Sequence, residues 1–483
     1  MLTQTRNEQS SEFQMTMCIY LLACGTSCSQ FDVLNHTGFT LSYSSAIEKI
    51  KALGQERLLE IIGLVRERAF MIIWDNLNIP FRVGEQRKDS KDHFDNRTTA
   101  TLIPLYDVEF SGIPLNSKPH RDNRWPVIDF THEDLLPSRQ QVQELEADQL
   151  WHIEDILFNA FPNLRARFKD KIKPVTNIFP IPVHQTEQYP LPAMHIDKSS
   201  LEGTLGVLEN IITKTLKLSG EDLKKHGIIL CAGDQLTMSL LDKVIILPSF
   251  HSMAKHHINQ ASASRRDDSE LVDNVGRYTE GQLGLFHVKI AGDHMITNEY
   301  WGVPNSISPW SLWKINALLG RKAISAGWKA KTLPPFRPTY ELILQLALPA
   351  NILDGFRIFC PKDTLEQWAA DVTDYDEISC IAKKVHSELC SARRVAELRR
   401  HPDAKRDIPF ENIQLFNRDA LKLRALKYSI KRGDVGTVIN ILADWMLMFR
   451  GTGKMPKYAD ALFHLLASLK RMDARLRYGV RVL

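Results

Sequence analysis

The hydrophobic positions of this chain follow two regimes. Between residues 42 and 70 they recur every three or four residues. Leu58, Ile61, Ile62, Val65 and Ala69 line one face, with Arg57, Glu60, Arg66 and Glu67 between them. That spacing predicts an amphipathic helix. A short continuous apolar run follows, Phe70-Met71-Ile72-Ile73-Trp74, closed by Asp75 and Asn76. Its length and composition predict a buried strand over 70–75. Polar residues run from Arg82 to Arg97, with Asp95-Asn96 as a turn signal, and residues 98–108 are rich in threonine and branched side chains. Strand, polar connection and strand predict an antiparallel pair.

Residues 111–145 are Pro-rich and polar and read as loop. Residues 151–168 predict a helix. Pro174, Pro180, Pro182, Pro190 and Pro192 then break the chain into an extended surface segment. Residues 201–217 predict a second amphipathic helix, with Leu205, Leu208, Ile211, Ile212 and Leu216 on one face. A second apolar run, Ile228-Ile229-Leu230-Cys231-Ala232-Gly233, ends in Asp234. A helix leading into an apolar strand is half of an α/β unit. Past Gly302 the pattern turns helical, over 310–330, 339–356, 364–372, 376–400, 417–430, 434–449 and 456–472. The organisation expected is an N-terminal segment 1–35, an α/β core 36–300 with a Pro-rich excursion at 111–195, and a mostly helical region 301–483. No repeat of fixed period is present.

Composition narrows the class only slightly. A chain of 483 residues, 44% apolar and 24% charged, can bury a sizeable core. The net charge of +4 is nearly balanced, so only local clusters can speak for or against nucleic acid. Seven cysteines without regular spacing do not form a disulfide framework, which favours a reducing, intracellular compartment. A secreted or lipid-anchored protein would rest on residues 16–28 alone. The apolar stretch Cys18–Cys24 is too short to span a bilayer. Only Arg6 precedes it, and Glu8 and Glu12 oppose a positively charged start, so a core helix and no membrane are expected.

Candidate chemistry starts from the two strand-end aspartates. A carboxylate there is costly unless it is hydrogen-bonded, ion-paired or on a metal. A pair suits a hard cation, Mg²⁺ or Mn²⁺, and metal-assisted chemistry on a phosphodiester. The alternative is that each caps a turn or helix, and Asp234, ahead of Gln235–Leu241, has the place of an N-cap. His287 stands in Gly284–His294 with Asp293 and His294, where a histidine near an aspartate could orient a nucleophile or complete a metal shell, or else sit hydrogen-bonded in the core. His251, His256 and His257 read as a solvated helix face. Cys380, His386 and Cys390 lack the spacing of structural zinc. Gly451-Thr452-Gly453-Lys454 lacks the earlier glycine and following hydroxyl of a phosphate loop and reads as a helix-breaking turn. Basic residues cluster at 393–406 and 470–481, as phosphate contacts or as solvated faces.

Several segments resemble a large fungal, chiefly basidiomycete, family of domains of unknown function. They are residues 23–43, Trp74–Asn78, Gly233–Thr237, Gly284–His287, Asn417–Leu421 and Phe449–Lys454 with Lys457-Tyr458-Ala459. The order of features also resembles cut-and-paste transposases with a ribonuclease-H-like mixed-sheet core and a helical insertion. That resemblance implies Asp75 and Asp234 as metal ligands and catalytic residues, with His287 beside them. It implies DNA as partner, a nuclear setting, and metal-dependent phosphodiester hydrolysis and strand transfer in intact relatives. In the fungal family a further block with an acidic Gln-Glu-His stretch follows the tyrosine-alanine segment, and this sequence ends at Leu483 without it. Glu341, Glu366, Glu377 and Glu388 are poor replacements for a final glutamate. A truncated or domesticated copy with weak or no cleavage is therefore expected, with a non-enzymatic scaffold or binding protein as the alternative. The nuclease reading requires the Asp75 and Asp234 carboxylates to lie within about 8 Å of each other.

Overall fold

The computed structural model describes residues 12–81, 93–117, 136–246, 278–304, 308, 310–330 and 332–481. The fold is α/β, with one mixed five-stranded sheet in the order β3-β2-β1-β4-β5. Strands β1 (Phe70–Phe81) and β2 (His93–Pro104) pair antiparallel over their whole length, from Phe70 opposite Pro104 to Phe81 opposite His93. β3 is the two-residue Tyr189–Pro190, antiparallel to β2. β4 (Ile229–Gly233) lies parallel to β1, and β5 (Thr279–Leu283) lies parallel to β4.

Side-chain alternation along β1 decides which way the sheet faces. Phe70, Ile72 and Trp74 enter the main core with Ile229 and Cys231 of β4. Met71, Leu230 and Ala232 enter a second core on the other face, closed by Ile113, Leu469 and Leu476. β4 is buried on both faces, as a central parallel strand is. Asp75 follows the Met71 parity and points where that face opens to solvent.

The main core continues without a break into the helical part of the chain. Trp301, Leu348, Phe356, Trp368, Trp445 and Phe449 belong to the same cluster as Phe70 and Ile72. The segment Phe336–Phe359 has the length and apolarity of a bilayer span. Here Leu342, Ile343, Leu348, Ile352 and Phe356 fill that core. The N-terminal helix Glu12–Ala23 packs by Cys18 on Phe31 and Ala46, in a small cluster of its own. All seven cysteines are free thiols.

The structure corrects several boundaries. The polar stretch 82–97 is not all connection, because β2 already begins at His93. Residues 139–145 are helix, not loop. Ser138 caps the helix Arg139–Ala160 in a reciprocal pair with Gln141 that outweighs the polar composition. The helix expected over 201–217 holds α-geometry only to Glu209 and passes through a wider π-turn, Asn210–Thr215. A second π-turn, Leu342–Ala347, interrupts the helix expected over 339–356. The helix expected over 310–330 is only Leu312–Leu318, and that over 376–400 breaks into Tyr375–Leu389 and Ala392–Leu398. Neither β3 nor β5 was expected.

Candidate functional site

β1 and β4 run side by side and deliver Asp75 and Asp234 to the same end of the sheet. Between them comes a third residue from neither strand. Lys198 Nζ donates to Asp75 Oδ1 at 2.7 Å, to Asp234 Oδ2 at 3.3 Å and to Thr237 Oγ1 at 2.8 Å. The two carboxylate oxygens are therefore no more than about 6 Å apart, the sum of their distances to the shared nitrogen. His287 Nε2 stands 3.6 Å from Asp75 Oδ2. So the structure brings together the three residues singled out in the sequence, Asp75, Asp234 and His287, and adds Lys198.

Local chain geometry explains each placement. Asp234 leaves β4 and caps the helix Gln235–Ile246, where its Oδ1 accepts from the Thr237 N–H at 2.7 Å. The capping alternative is thus correct, and the second oxygen is still free to meet Lys198. His287 enters from the first turn of the helix Leu285–Tyr300, whose start is tied to the β4 exit by Gly284 N–H donating to Gly233 O. Lys198 lies just ahead of the helix Leu201–Glu209, which Ser200 caps. Thr204 Oγ1 donates to the Lys198 carbonyl and fixes the loop. Gly203 lets the loop fold back, since a Cβ there would fall 1.8 Å from Asp197 O.

The lysine side chain is 2% exposed, whereas Asp75 is 51% and Asp234 27% exposed. The site is a half-open rim with a buried ammonium at its base. The His287 ring, and after it the Lys198 ammonium, hold Asp75 well below the usual carboxylate range despite partial burial. Burial pushes Asp234 up, but the Thr237 hydrogen bonds and the Lys198 charge outweigh it and lower the carboxyl. Tyr458 sits near the pair. Burial, then the Asp234 and Asp75 charges, push its phenol up to about 12.

This arrangement does not fit a resident divalent cation as the side chains stand. The ammonium occupies the gap between the carboxylates. Among the described residues no group of three or more His, Cys, Asp or Glu side chains is set to hold a metal. A +2 ion about 4 Å from the ammonium would be repelled by roughly 8 kcal/mol at an effective dielectric constant near 20.

The remaining candidates lie elsewhere. Asp293 is bonded to Thr339 and His294 faces Pro334, so neither joins the pair. His251, His256 and His257 lie outside the described residues. His386 Nε2 meets Gln149, Cys390 is buried and Cys380 is exposed, which is no zinc site. Gly453, at φ 65°, ends the helix Val435–Thr452, as a turn should. Glu341 pairs with Arg337, Glu377 accepts from Trp368 and Glu388 pairs with Arg394. In the 393–406 basic cluster, Arg394 is neutralised by Glu388 and Glu397, and Arg399 and Arg406 by Glu411. Lys198 had no signal in sequence, where Asp197-Lys198-Ser199-Ser200 reads as a polar helix start.

Residues 128–481 match a family described only as a family of unknown function (DUF6589). No curated protein and no solved structure matches the chain.

Proposed function

The chain belongs to this family of unknown function, so its role has to be argued from the site, and we propose a transposase-derived, DNA-processing protein with a ribonuclease-H-like core. One observation carries the reading: a mixed sheet with Asp75 on its first strand and Asp234 directly after the parallel β4, their carboxylates within hydrogen-bond reach of one ammonium. In enzymes of that type two such aspartates serve metal-dependent phosphodiester hydrolysis and strand transfer. In this chain Lys198 supplies the counter-charge that Mg²⁺ or Mn²⁺ would otherwise supply. Strand cleavage is accordingly weak or absent, and DNA is held more than it is cut.

The test is a nicking assay on supercoiled DNA in Mn²⁺ with the wild type, Lys198→Ala and the double variant Lys198→Ala/Asp75→Asn. The reading expects little nicking by the wild type, more by Lys198→Ala, and none once Asp75 is also changed. Nicking that ignores Asp75 would sink it.

A second reading, a non-enzymatic binding protein, draws on the exposed apolar side chains Trp310, Leu318, Leu319, Trp328 and Leu333. It is favoured if Lys198→Ala neither binds Mn²⁺ nor nicks DNA.

A further inference from the structure

The helix that carries His287 continues into a cluster of cations that the aspartate site does not use. Lys289 Nζ lies 5.2 Å from the centre of the Phe286 ring and 5.6 Å from that of Tyr340. Lys427, from the helix Ile408–Arg432, approaches the same Tyr340 ring at 5.9 Å and the Tyr428 ring at 5.5 Å. Two lysines from different helices therefore converge on one tyrosine, with Lys431 one turn beyond Lys427. Arg424, next to them, is already paired with Asp155. Among the described residues, Lys289, Lys427 and Lys431 show no carboxylate within ion-pair distance. The acid one turn along from Lys289, Asp293, is fully buried against Thr339, and burial pushes its carboxyl up to about 7.

Converging cations without counter-ions are unfavourable unless an anion arrives. The crowding shows in their protonation. Burial and then Lys431 lower Lys289, while burial and then Lys431, Arg424 and Lys289 lower Lys427. The Tyr340 hydroxyl is buried without a hydrogen-bond partner among the described residues. Phe286, by contrast, is 56% exposed and stands edge-on to His287 with ring centres 5.7 Å apart. Unpaired cations, cation–π contacts and an exposed ring next to them make the combination that tracks an unpaired nucleic-acid strand, phosphates on lysines and a base on the aromatic face.

We propose that Phe286, Lys289, Tyr340, Lys427 and Lys431 form a track for a single nucleic-acid strand that leads to the Asp75–Asp234 rim. The track rests on the nucleic-acid reading above and does not depend on a metal.

The experiment is fluorescence anisotropy of the full chain with a fluorescein-labelled 15-nucleotide oligo(dT), in EDTA, over a range of salt. The wild type binds the single strand, and more tightly than a duplex of the same length. Lys289→Ala/Lys427→Ala weakens binding at least tenfold and lowers the slope of log affinity against log salt by about 1.4, near 0.7 for each phosphate no longer neutralised. Phe286→Ala, a surface change that leaves the fold alone, reduces single-strand affinity and leaves duplex affinity as it was. Arg393→Ala/Arg400→Ala, in the 393–406 basic cluster, changes neither. No single-strand binding by the wild type, tighter binding of duplex, or wild-type affinity in both track variants overturns the proposal. Because EDTA removes metal, strand binding by the wild type with no Mn²⁺ binding by Lys198→Ala would upset the metal part of the functional reading alone. Mn²⁺ binding by Lys198→Ala without strand binding by the wild type would upset the track alone.

Discussion

The Lys198 ammonium donates to Asp75 at 2.7 Å across 123 positions of sequence. A buried lysine thus lies against a carboxylate that is itself half in water. The lysine has given up its own hydration, and Asp75, Asp234 and Thr237 replace it with three hydrogen bonds. The same ion pair sets the charge balance between Lys198 and the two aspartates, since one ammonium offsets one of two carboxylates.

Removing that ammonium has a two-sided consequence. In Lys198→Met two carboxylates face each other without a shared donor, and both move up, while the His287 and Thr237 hydrogen bonds still act to lower them. Asp75 and Asp234 are lowered in the wild type, so the stability they contribute is present above the unfolded carboxylate range and is lost as pH falls through their folded values. Lys198→Met loses part of that contribution at neutral pH. Urea unfolding at pH 7 should show a loss of about 1–2 kcal/mol, recovered on adding Mn²⁺ to the variant. A variant as stable as the wild type and indifferent to Mn²⁺ would show that the lysine does not restrain the pair.

The loop that presents Lys198 is tested without touching the site. Gly203→Ala puts a Cβ 1.8 Å from Asp197 O, while Gly206→Ala on the same helix meets nothing nearer than Ile196 Cγ2 at 3.8 Å. Gly203→Ala should cost about 2–3 kcal/mol from forced backbone movement. Gly206→Ala should be neutral or gain up to about 1 kcal/mol from helix propensity. Equal urea midpoints for the two variants would contradict the loop geometry.

Asp293 makes stability depend on pH in the unusual direction. Folded, it keeps its proton up to about 7; unfolded, it releases it near 3.8. The folded chain binds more protons between those values, so this group's effect is absent below about pH 4 and costs stability as pH rises to 7. Asp293→Asn should remove the cost, with a gain over wild type of roughly 2–4 kcal/mol at pH 8 and almost none at pH 4. Unfolding midpoints at the two pH values measure it, and a gain of equal size at both would rule out titration as the cause.

Much of this site was legible in the sequence because β1 and β4 announce themselves. Ile72 and Leu230 belong to strands whose burial leaves an apolar run, and a run that ends in aspartate is visible by eye. β5 was not legible, because Thr279-Glu280-Gly281-Gln282-Leu283 carries its burial on Thr279, Gln282 and Leu283, with no apolar run or alternation. β3 hides in a Pro-rich stretch, where Tyr189 and Pro190 pair with Leu102 and Thr101 for only two residues. Lys198 was invisible for a different reason. Its burial comes from partners 123 and 36 positions away, and nothing local marks it. The convergence of Lys289 and Lys427 on Tyr340 likewise needs three helices to be packed before it exists.

The measurement that bears most directly on the central claim is calorimetric titration of Mn²⁺ into the wild type, Lys198→Ala and Lys198→Ala/Asp75→Asn. The account predicts weak or undetectable binding by the wild type, binding at least tenfold tighter once Lys198 is removed, and its loss again when Asp75 becomes asparagine. Binding that is the same in all three proteins, or absent from Lys198→Ala, would contradict it.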